Sequence, residues 1–381
     1  MTKQKQTQYR FDGFDGEWEE KKLGEAVTFL NGRAYKQNEL LKSGKYKVVR
    51  VGNFNTNETW YYSNLELDQD KYANNGDLLY LWATDFGPKF WYGEKIIYHY
   101  HIWKLNIKNN KSLDKNFLFT WLYFDKEKIK QNTNGTTMVH VTKSMIEERL
   151  FLSPSLPEQE AIGELFQTVD QLIQLQDQKL ATLKEQKQTF LRKMFPAQGQ
   201  KVPEIRLQGF DGEWEEKKLG EIANLYQPQT ITSSKLTKSG IPVFGANGYI
   251  GFYSISNHET SQVTISARGE RTGTANFVKA PVWITGNSMV VNIDDYLKLA
   301  SKYFLYCYFC LINFKPFITG GAQPQLTREV LEKIKISLPS LPEQEAIGDF
   351  FQTLDQQMSQ TEEKLTEFKA LKQTLLNRLF V

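Results

Sequence analysis

Two copies of a Glu-Glu-Lys motif are the residues of this chain that most resemble a catalytic site. Glu19-Glu20-Lys21 recurs as Glu215-Glu216-Lys217, and both copies match the Glu-x-Lys end of a nuclease centre. Such a centre also needs an upstream Asp on the same sheet, whereas Asp15 and Asp211 lie in Gly-rich turns just before each motif. Because short motifs match by chance, we interpret both copies as segments that dock a globular insert onto a helix or onto a partner.

The cysteine and histidine residues are the next candidates, as metal ligands. Cys307 and Cys310 have the spacing of a zinc or redox pair, but a metal site needs further ligands, and none of the four histidines stands at a matching spacing. We therefore interpret both thiols as small buried hydrophobic residues. His99 and His101 lie on a strand-like segment without a carboxylate or Cys at matching spacing, and we interpret them as structural.

Motifs of other enzyme classes are absent from the sequence. There is no Gly-x-x-x-x-Gly-Lys-Ser/Thr loop for ATP, no Asn/Asp-Pro-Pro-Tyr/Phe loop and no Phe-x-Gly-x-Gly turn of an amino-methyltransferase. We therefore expect a non-catalytic chain that holds no metal and no cofactor of its own.

An internal repeat sets the elements that would position any site. Residues 13–25 recur letter for letter as residues 209–221, and residues 155–163 recur as residues 340–348. The inserts between these blocks barely resemble each other, although weak matches at offsets of 185 and 187 indicate diverged copies of one fold. The sequence therefore predicts a duplicated frame that holds two different inserts.

A long helix is predicted after each second block. Pro157 and Pro342 suit the first turn of a helix, and apolar residues then recur at alternating spacings of three and four, which is typical of a coiled coil. Lys187 and Lys372 interrupt the two stripes at matching positions, so we expect the helices to pack on each other, antiparallel. We call the following apolar positions the seam: Phe166, Val169, Ile173, Leu180, Leu183, Phe190, Met194, Phe351, Leu354, Met358, Leu365, Phe368, Leu375 and Leu379.

Each insert is predicted to be a small mixed globule. Residues 46–51, 95–107 and 263–266 are strand-like, and residues 114–130 and 295–313 read as helices with aromatic faces. The expected fold class is α+β: two globular α/β domains separated by two long helices that form an antiparallel coiled coil, with a pseudo-two-fold internal repeat.

The charges of the inserts and of the frame have opposite signs. Residues 26–152 carry 18 Lys and Arg against 13 Asp and Glu, residues 222–337 carry 11 against 6, and the remainder carries 18 against 25. Basic inserts favour contact with phosphate. No signal peptide is visible and no apolar run approaches the ~20 residues that span a bilayer, so we expect a cytoplasmic protein without a membrane anchor.

This arrangement resembles the DNA-specificity subunits of type I restriction–modification systems. The resemblance is carried by Leu156-Pro157-Glu158-Gln159-Glu160-Ala161-Ile162 and its copy at residues 341–347, which open a long helix after each insert. The lead-in Trp18-Glu19-Glu20-Lys21-Lys22-Leu23-Gly24-Glu25 and its copy at residues 214–221 are similar to the insert openings of that family. The resemblance covers essentially the whole chain and implies a subunit that selects a bipartite, asymmetric site in double-stranded DNA, with one half-site per target-recognition domain.

The resemblance also implies partners and boundaries. Two modification (adenine methyltransferase) subunits would dock on the frame and restriction (translocase and nuclease) subunits would join them, so S-adenosylmethionine, ATP and Mg would belong to those partners. The implied domains are a first target-recognition domain (1–152), a central helical spacer (153–200), a second target-recognition domain (201–337) and a C-terminal helical spacer (338–381). The alternatives are a fused restriction–methylation enzyme and a repeat protein that binds protein ligands.

Candidate DNA-contacting residues are those in insert loops that combine Gly with Arg, Gln, Lys or Thr. Arg can pair with guanine and Gln with adenine through two hydrogen bonds. The candidates are Thr84, Asp85, Lys89, Thr136 and Thr137 in the first insert, and Arg268, Arg271, Thr272, Gln323 and Gln325 in the second. The target sequence itself is not predicted.

Overall fold

A computed structural model describes residues 9–55, 57–83, 85–132, 141–320 and 324–380. The chain forms two compact units, one from residues 1–176 and 364–381 and the other from residues 177–363. Each unit therefore contains one insert and a segment of each long helix. The four-segment division predicted from the sequence stays a prediction, because these units are defined by contacts and divide both helices.

The first unit contains three sheets and the helices that pack on them. Its strands are β1 (Glu19–Lys22), β2 (Val27–Asn31), β3 (Tyr46–Val49), β4 (Tyr61–Ser63), β5 (Tyr72–Ala73), β6 (Leu78–Leu81), β7 (Gly87–Phe90), β8 (Ile96–Tyr98), β9 (Ile102–Ile107) and β10 (Leu150–Ser153). Its helices are α1 (Leu23–Ala26), α2 (Lys115–Asn132), α3 (Lys143–Glu147) and the first part of α4 (Leu156–Lys193). The sheet orders are β2-β9-β6-β7, β4-β3-β8-β5 and β1-β10.

The second unit has the same kinds of element. Its strands are β11 (Glu215–Lys218), β12 (Asn224–Tyr226), β13 (Ile241–Gly245), β14 (Gly248–Tyr253), β15 (Gln262–Ser266), β16 (Ala275–Val278), β17 (Trp283–Ile284), β18 (Ser288–Asn292) and β19 (Lys335–Leu338). Its helices are α5 (Lys302–Phe309), α6 (Arg328–Glu332) and the first part of α7 (Leu341–Leu379). The sheet orders are β12-β18-β15-β16, β14-β13-β17 and β11-β19.

The two inserts share one topology. The sheet β2-β9-β6-β7 corresponds strand for strand to β12-β18-β15-β16, and β4-β3-β8 corresponds to β14-β13-β17. In the second pair of sheets the pairing is antiparallel on one side and parallel on the other in both units. The prediction that the inserts are diverged copies of one mixed α/β fold is therefore confirmed.

The second aromatic helix is shorter than predicted. It spans Lys302–Phe309, whereas the sequence predicted a helix over residues 295–313. On its amino-terminal side, Asp294 accepts hydrogen bonds from Thr260 and Gln262, both at 2.9 Å, which fixes a separate 3-10 turn. On its carboxyl-terminal side, Pro316 lies in another short turn that begins at Lys315. The residues on either side of the helix therefore form short turns, although their apolar spacing is helical.

An arginine just before each first block pairs with the glutamate of the second block in the same unit. Arg10 donates to both carboxylate oxygens of Glu158, from Nε at 2.8 Å and from Nη2 at 2.7 Å, and Trp18 adds a bond to Glu158 at 3.3 Å. Arg206 donates to Glu343 in the same way at 2.8 and 2.7 Å. Both glutamates are buried, so each repeated Glu holds the lead-in of its unit by a charge-assisted bidentate contact.

The repeated Gln fixes the other side of the helix start. The Gln159 side chain accepts a bond from the amide of Asp114 at 2.9 Å and donates to the carbonyl of Ser112 at 3.1 Å. Gln344 accepts the corresponding bond from the amide of Ser301 at 3.1 Å. Asp114 and Ser301 immediately precede α2 and α5, so the Pro-Glu-Gln sequence joins the start of each long helix to the aromatic helix of the insert.

The far end of each long helix completes the hydrophobic core of a unit. In the first unit, Phe380 lies 6.3 Å from Trp18, ring centre to ring centre. In the second unit, Phe195 lies 5.9 Å from Trp214 in the equivalent arrangement. Leu376 is also fully buried in the core of the first unit. Each insert is therefore finished by the helix that follows the other insert in sequence.

Segments of α4 and α7 run antiparallel within each unit. In the first unit Lys372 donates to Asp170 at 2.6 Å, and in the second Lys187 donates to Asp355 at 2.6 and 2.8 Å. All fourteen seam residues are buried or half-buried, although their neighbours on both helices are mostly exposed. Within the described part of the chain, no helix combines the length and the apolar character needed to cross a membrane.

Candidate nucleic-acid interface

The carboxyl ends of a parallel strand pair form one edge of each insert. In the first unit the amide of His99, just after β8, donates to the carbonyl of Val49 at the end of β3 at 2.9 Å. In the second unit the amide of Thr285, just after β17, donates to the carbonyl of Phe244 at 2.9 Å. We call the residues at the ends of these strands, together with those just after β6 and β15, the strand-end edge. In the first unit it comprises Arg50, Trp82 and residues 99–101, and in the second unit Gly245, Ala267 and residues 285–287.

Aromatic and imidazole side chains occupy this edge in the first unit. The ring of Trp82, just after β6, lies 4.9 Å from that of His101, and its Nε1 donates to the carbonyl of Tyr100 at 2.7 Å. The ring of His101 lies 4.0 Å from that of Tyr100 and 4.9 Å from that of His99. The Tyr100 side chain is exposed, so the cluster presents an aromatic ring to solvent.

Arg50 supplies the positive charge of the same edge. Its guanidinium carbon lies 4.3 Å from the ring centre of Tyr61, and its Nε is buried without a hydrogen-bond acceptor. No ion pair joins Arg50 to another residue that the structure describes. Burial, followed by the charges of His101 and Arg50, lowers the pKa of His99 to about 4. The imidazole of His99 is therefore neutral at neutral pH.

The second unit carries small residues at the equivalent places. Gly245 stands where the first unit has Arg50, and Ala267 stands where it has Trp82. Gly286 and Asn287 correspond to Tyr100 and His101. The amide of Ala267 donates to the carbonyl of Asn287 at 2.9 Å, as the amide of Trp82 donates to that of His101 at 3.1 Å in the first unit. The backbone framework of the edge is thus shared, and the side chains on it differ.

Two of the predicted loops of the second insert meet at this edge. Arg268 pairs with Gln325 as an isolated antiparallel bridge, and the amide of Leu326 donates to the carbonyl of Ala267 at 3.0 Å. Arg268 and Arg271 are exposed, and neither forms an ion pair with another described residue. These two guanidinium groups are available to an anionic or acceptor-rich ligand.

Thr272 has a local structural role in the same loop. Its hydroxyl donates to the carbonyl of Gly269 at 2.6 Å and lies 3.4 Å from the carbonyl of Pro324. The hydroxyl therefore closes the turn that presents the two arginines and links it to the loop that carries Gln325. Contact of Thr272, Arg268, Arg271 or Gln325 with DNA stays a prediction.

The candidate DNA-contacting residues of the first insert do not all lie at the strand-end edge. Asp85 follows the edge residue Trp82 by three positions and accepts a bond from Lys126 at 3.2 Å, so its charge is already paired. Lys89 lies in β7 opposite Leu79, two residues back from the end of β6. The amide of Val141 donates to the carbonyl of Trp82 at 3.1 Å, which brings the chain beyond residues 133–140 to the edge. The following candidates lie outside the described residues: Thr84, Thr136, Thr137 and Gln323.

Lys89 lines a separate cavity in the first unit. This cavity has a volume of about 450 Å³ and lies between β7, α2 and α4, with Tyr92 and Phe119 on one side and Gln167 and Gln171 on the other. Its walls mix aromatic and amide groups. Contact of Lys89 with DNA stays a prediction.

The thiols differ in burial. Cys307 is fully buried, and burial raises the pKa of its thiol. Cys310, by contrast, is exposed, so its interpretation as a buried hydrophobic residue was wrong. It is the C-cap residue directly after Phe309, where α5 ends.

The duplicated arrangement of insert and helix is found in solved proteins. The fold is similar to that of the type I restriction–modification S subunit of Mycoplasma genitalium, with 19% identity, a TM-score of 0.74 and coverage of 98% of this chain and 99% of that chain. It is also similar to a chain from a structure on complex assembly and conformational transition of a type I system, with 18% identity, a TM-score of 0.50 and coverage of 98% and 99%.

The family follows from the sequence comparison. The family model described as the type I restriction modification DNA specificity domain matches residues 15–185 and again residues 211–370. The chain is also 22% identical to the type I restriction enzyme MjaVIII specificity subunit of Methanocaldococcus jannaschii, over 95% of this chain and 92% of that protein. The chain belongs to the type I DNA-specificity family, and the resemblance inferred from its repeated blocks is confirmed.

Proposed function

We propose that this specificity subunit reads a bipartite, asymmetric site in double-stranded DNA, with one half-site for each insert. The observation that carries the proposal is the strand-end edge. Its backbone framework is the same in both units, yet Arg50, Trp82 and His101 in the first correspond to Gly245, Ala267 and Asn287 in the second. Equal frameworks with unlike side chains suit two readers of different base sequences.

The charge distribution supports contact with DNA. Both inserts carry more Lys and Arg than Asp and Glu, whereas the frame is acidic. Exposed cations near an edge attract phosphate and release counterions, which gives binding that falls steeply with salt. The salt dependence also separates this function from that of a repeat protein for protein ligands, which lacks such a slope.

The partners are proposed from the frame. The exposed Glu19 and Glu20 of β1 are repeated as Glu215 and Glu216 of β11, with the same pattern of exposure. Two identical surfaces suit two copies of one partner, which we propose to be the modification (adenine methyltransferase) subunit. One of the similar solved structures concerns the assembly of a type I complex, which supports association with restriction (translocase and nuclease) subunits as well.

The chemistry is proposed to reside in those partners. The chain would bind no cofactor of its own. S-adenosylmethionine, ATP and Mg would be bound by the modification and restriction subunits, which would assemble with this chain on DNA in the cytoplasm. Purified alone, the chain is expected to transfer no methyl group from S-adenosylmethionine to DNA. Methyl transfer by the single chain would contradict this part of the proposal.

An insert exchange tests the half-site assignment. Residues 26–134 would be replaced by the corresponding insert of another family member, and the methylated sequences would be determined in cells that also express the modification subunit. One half-site should change while the other half-site stays as in the parent. Exchange of residues 222–320 is the matched experiment and should change the opposite half. A change in both halves, or in neither, would contradict the proposal.

A further inference from the structure

The guanidinium of Arg50 is held in one orientation at the strand-end edge of the first unit. It stacks over the Tyr61 ring with 4.3 Å between the guanidinium carbon and the ring centre. Its Nε is buried, and the amide of Arg50 is bound to the side chain of Asn53 at 3.0 Å. A stacked Arg with a fixed backbone loses little further freedom when it binds a planar ligand.

Arg50 forms no ion pair with any residue that the structure describes, unlike two neighbouring cations. Arg33, whose backbone bridges to His99, forms a bidentate ion pair with Glu39 at 2.8 and 3.1 Å. Lys47 of β3, the strand that Arg50 directly follows, pairs with Glu94 at 2.7 Å. Arg50 has no such partner among the described residues, and a half-buried cation without a counter-ion favours an acceptor supplied from outside the chain.

The neighbours of Arg50 identify the kind of ligand. The exposed ring of Tyr100 and the rings of Trp82 and His101 lie at the same edge. A phosphate group offers acceptors without an apolar surface, whereas the major-groove edges of base pairs offer acceptors together with the thymine methyl group, which can pack on aromatic rings. Guanine offers O6 and N7 in the major groove, which match the two-pronged donor geometry of Arg.

We propose that Arg50 reads a guanine in the half-site bound by the first insert. This inference rests on the proposed function, in which each insert reads one half-site. Arg50 donates to O6 and N7 of that guanine, and Tyr61 holds the guanidinium plane from behind. The second insert has Gly245 at the equivalent place, so the contact belongs to the first half-site alone.

The first test uses the unmodified chain in complex with its modification subunits. Each guanine of the first half-site would be replaced in turn by 7-deazaguanine, which lacks the N7 acceptor, and DNA affinity would be measured. One position should lose about 10-fold in affinity, because the analogue removes one of the two acceptors of a bidentate contact that is worth about 10- to 100-fold in all. If the affinity falls at no position in that half-site, the proposal is wrong, and this result does not depend on whether any variant folds.

The second test assigns that guanine to Arg50. In Arg50→Met the stem still packs on Tyr61, and in Arg50→Gln an amide replaces the guanidinium. Both variants should become insensitive to 7-deazaguanine at the responsive position and should methylate sites with other bases there. Lys47→Ala is the matched control, because Lys47, in the strand just before Arg50, is also a cation over an aromatic ring but has its own counter-ion. The DNA sequence that this variant methylates should stay unchanged.

The outcomes separate the possible roles of Arg50. A uniform loss of affinity at all sequences, with a salt slope smaller by about one, would show a phosphate contact and overturn the proposal. Unchanged base preference in both variants would overturn it as well. Failure of the Arg50 proposal can be told apart from failure of the proposed function. If the half-site assignment were wrong, the insert exchange would alter both halves of the recognised site or neither half. Retained recognition of the second half-site shows that a variant chain is folded.

Discussion

Lys187 and Asp355 form a half-buried ion pair in the second unit, with Nζ 2.6 and 2.8 Å from the two carboxylate oxygens. The Tyr303 hydroxyl donates to the same carboxylate at 2.7 Å. The repeat reproduces the pair in the first unit with the roles of the helices exchanged, since Lys372 of α7 donates to Asp170 of α4 at 2.6 Å. Each pair specifies one register between the two helices, because a one-turn slip would leave both charges without a partner.

The first prediction concerns this ion pair. Lys187→Met should lower the free energy of unfolding by about 2 kcal/mol, because it leaves a poorly hydrated carboxylate without its cation. Lys184→Met is the control: Lys184 pairs with Glu362 at 2.9 Å, but both side chains are 52% exposed, so the loss should stay below about 1 kcal/mol. Urea unfolding measures both variants. Equal losses would show that burial does not strengthen the pair at Asp355.

The second prediction concerns the helix ends. Phe195→Ala and Phe380→Ala should each cost about 3–5 kcal/mol, because each creates a cavity in a core. The loss should be local: faster amide hydrogen exchange around Trp214 for the first variant and around Trp18 for the second, as measured by mass spectrometry. Leu175→Ala, at an exposed position of α4, should leave both regions unchanged. Equal effects of Phe195→Ala on both regions would contradict the placement of that ring.

The third prediction concerns the contact between α4 and α2. A Cβ atom at Gly163 would lie 2.7 Å from the Asp114 carboxylate and 2.9 Å from the Phe117 amide, so Gly163→Ala should cost about 1–3 kcal/mol. The equivalent Gly348→Ala should cost less, since its nearest contact would be 3.3 Å. Gly16→Ala meets nothing within 4 Å and serves as the control. Thermal unfolding gives the order, and a Gly348 variant that is less stable than the Gly163 variant would contradict it.

The fourth prediction concerns a chain that ends near residue 200. Two copies should form a symmetric dimer, because Lys187 of one copy can pair with Asp170 of the other and Phe195 can take the place of Phe380. The dimer should be weaker than the contact within the intact chain, since the two helices are no longer tethered. Its DNA target should be an inverted repeat of the first half-site.

Sedimentation at tens of micromolar tests this dimer. Replacement of both Leu180 and Leu183 by Asp should produce a monomer, because unpaired charges would be buried in the seam. A monomeric parent chain, or a dimer that tolerates both charges, would show that the seam is not the contact.

The frame was predictable from sequence because its signals are local and occur twice. Pro157 and Pro342 do begin long helices, and offsets of 185 and 187 did indicate one fold for both inserts. Which core accepts Phe195 or Phe380 could not be read from periodicity, since a stripe on one helix does not identify the surface that covers it. Arg50 was missed for a similar reason: as the residue after Val48-Val49 it reads as the end of a strand, and only the pairing of β3 with β8 places it beside His99.

The end of each long helix packs in the unit of the other insert, and this arrangement determines which unit can fold first during synthesis. Residues 177–363 are contiguous and can close as a unit once they have left the ribosome, whereas the first unit also needs Leu376 and Phe380 in its core. A nascent chain emerges from its amino terminus, so the unit that is translated first is finished second. Translation products that stop before residue 376 and remain monomeric leave Trp18 and the rings beside it uncovered, and such exposed apolar surface directs incomplete chains to chaperones and proteases.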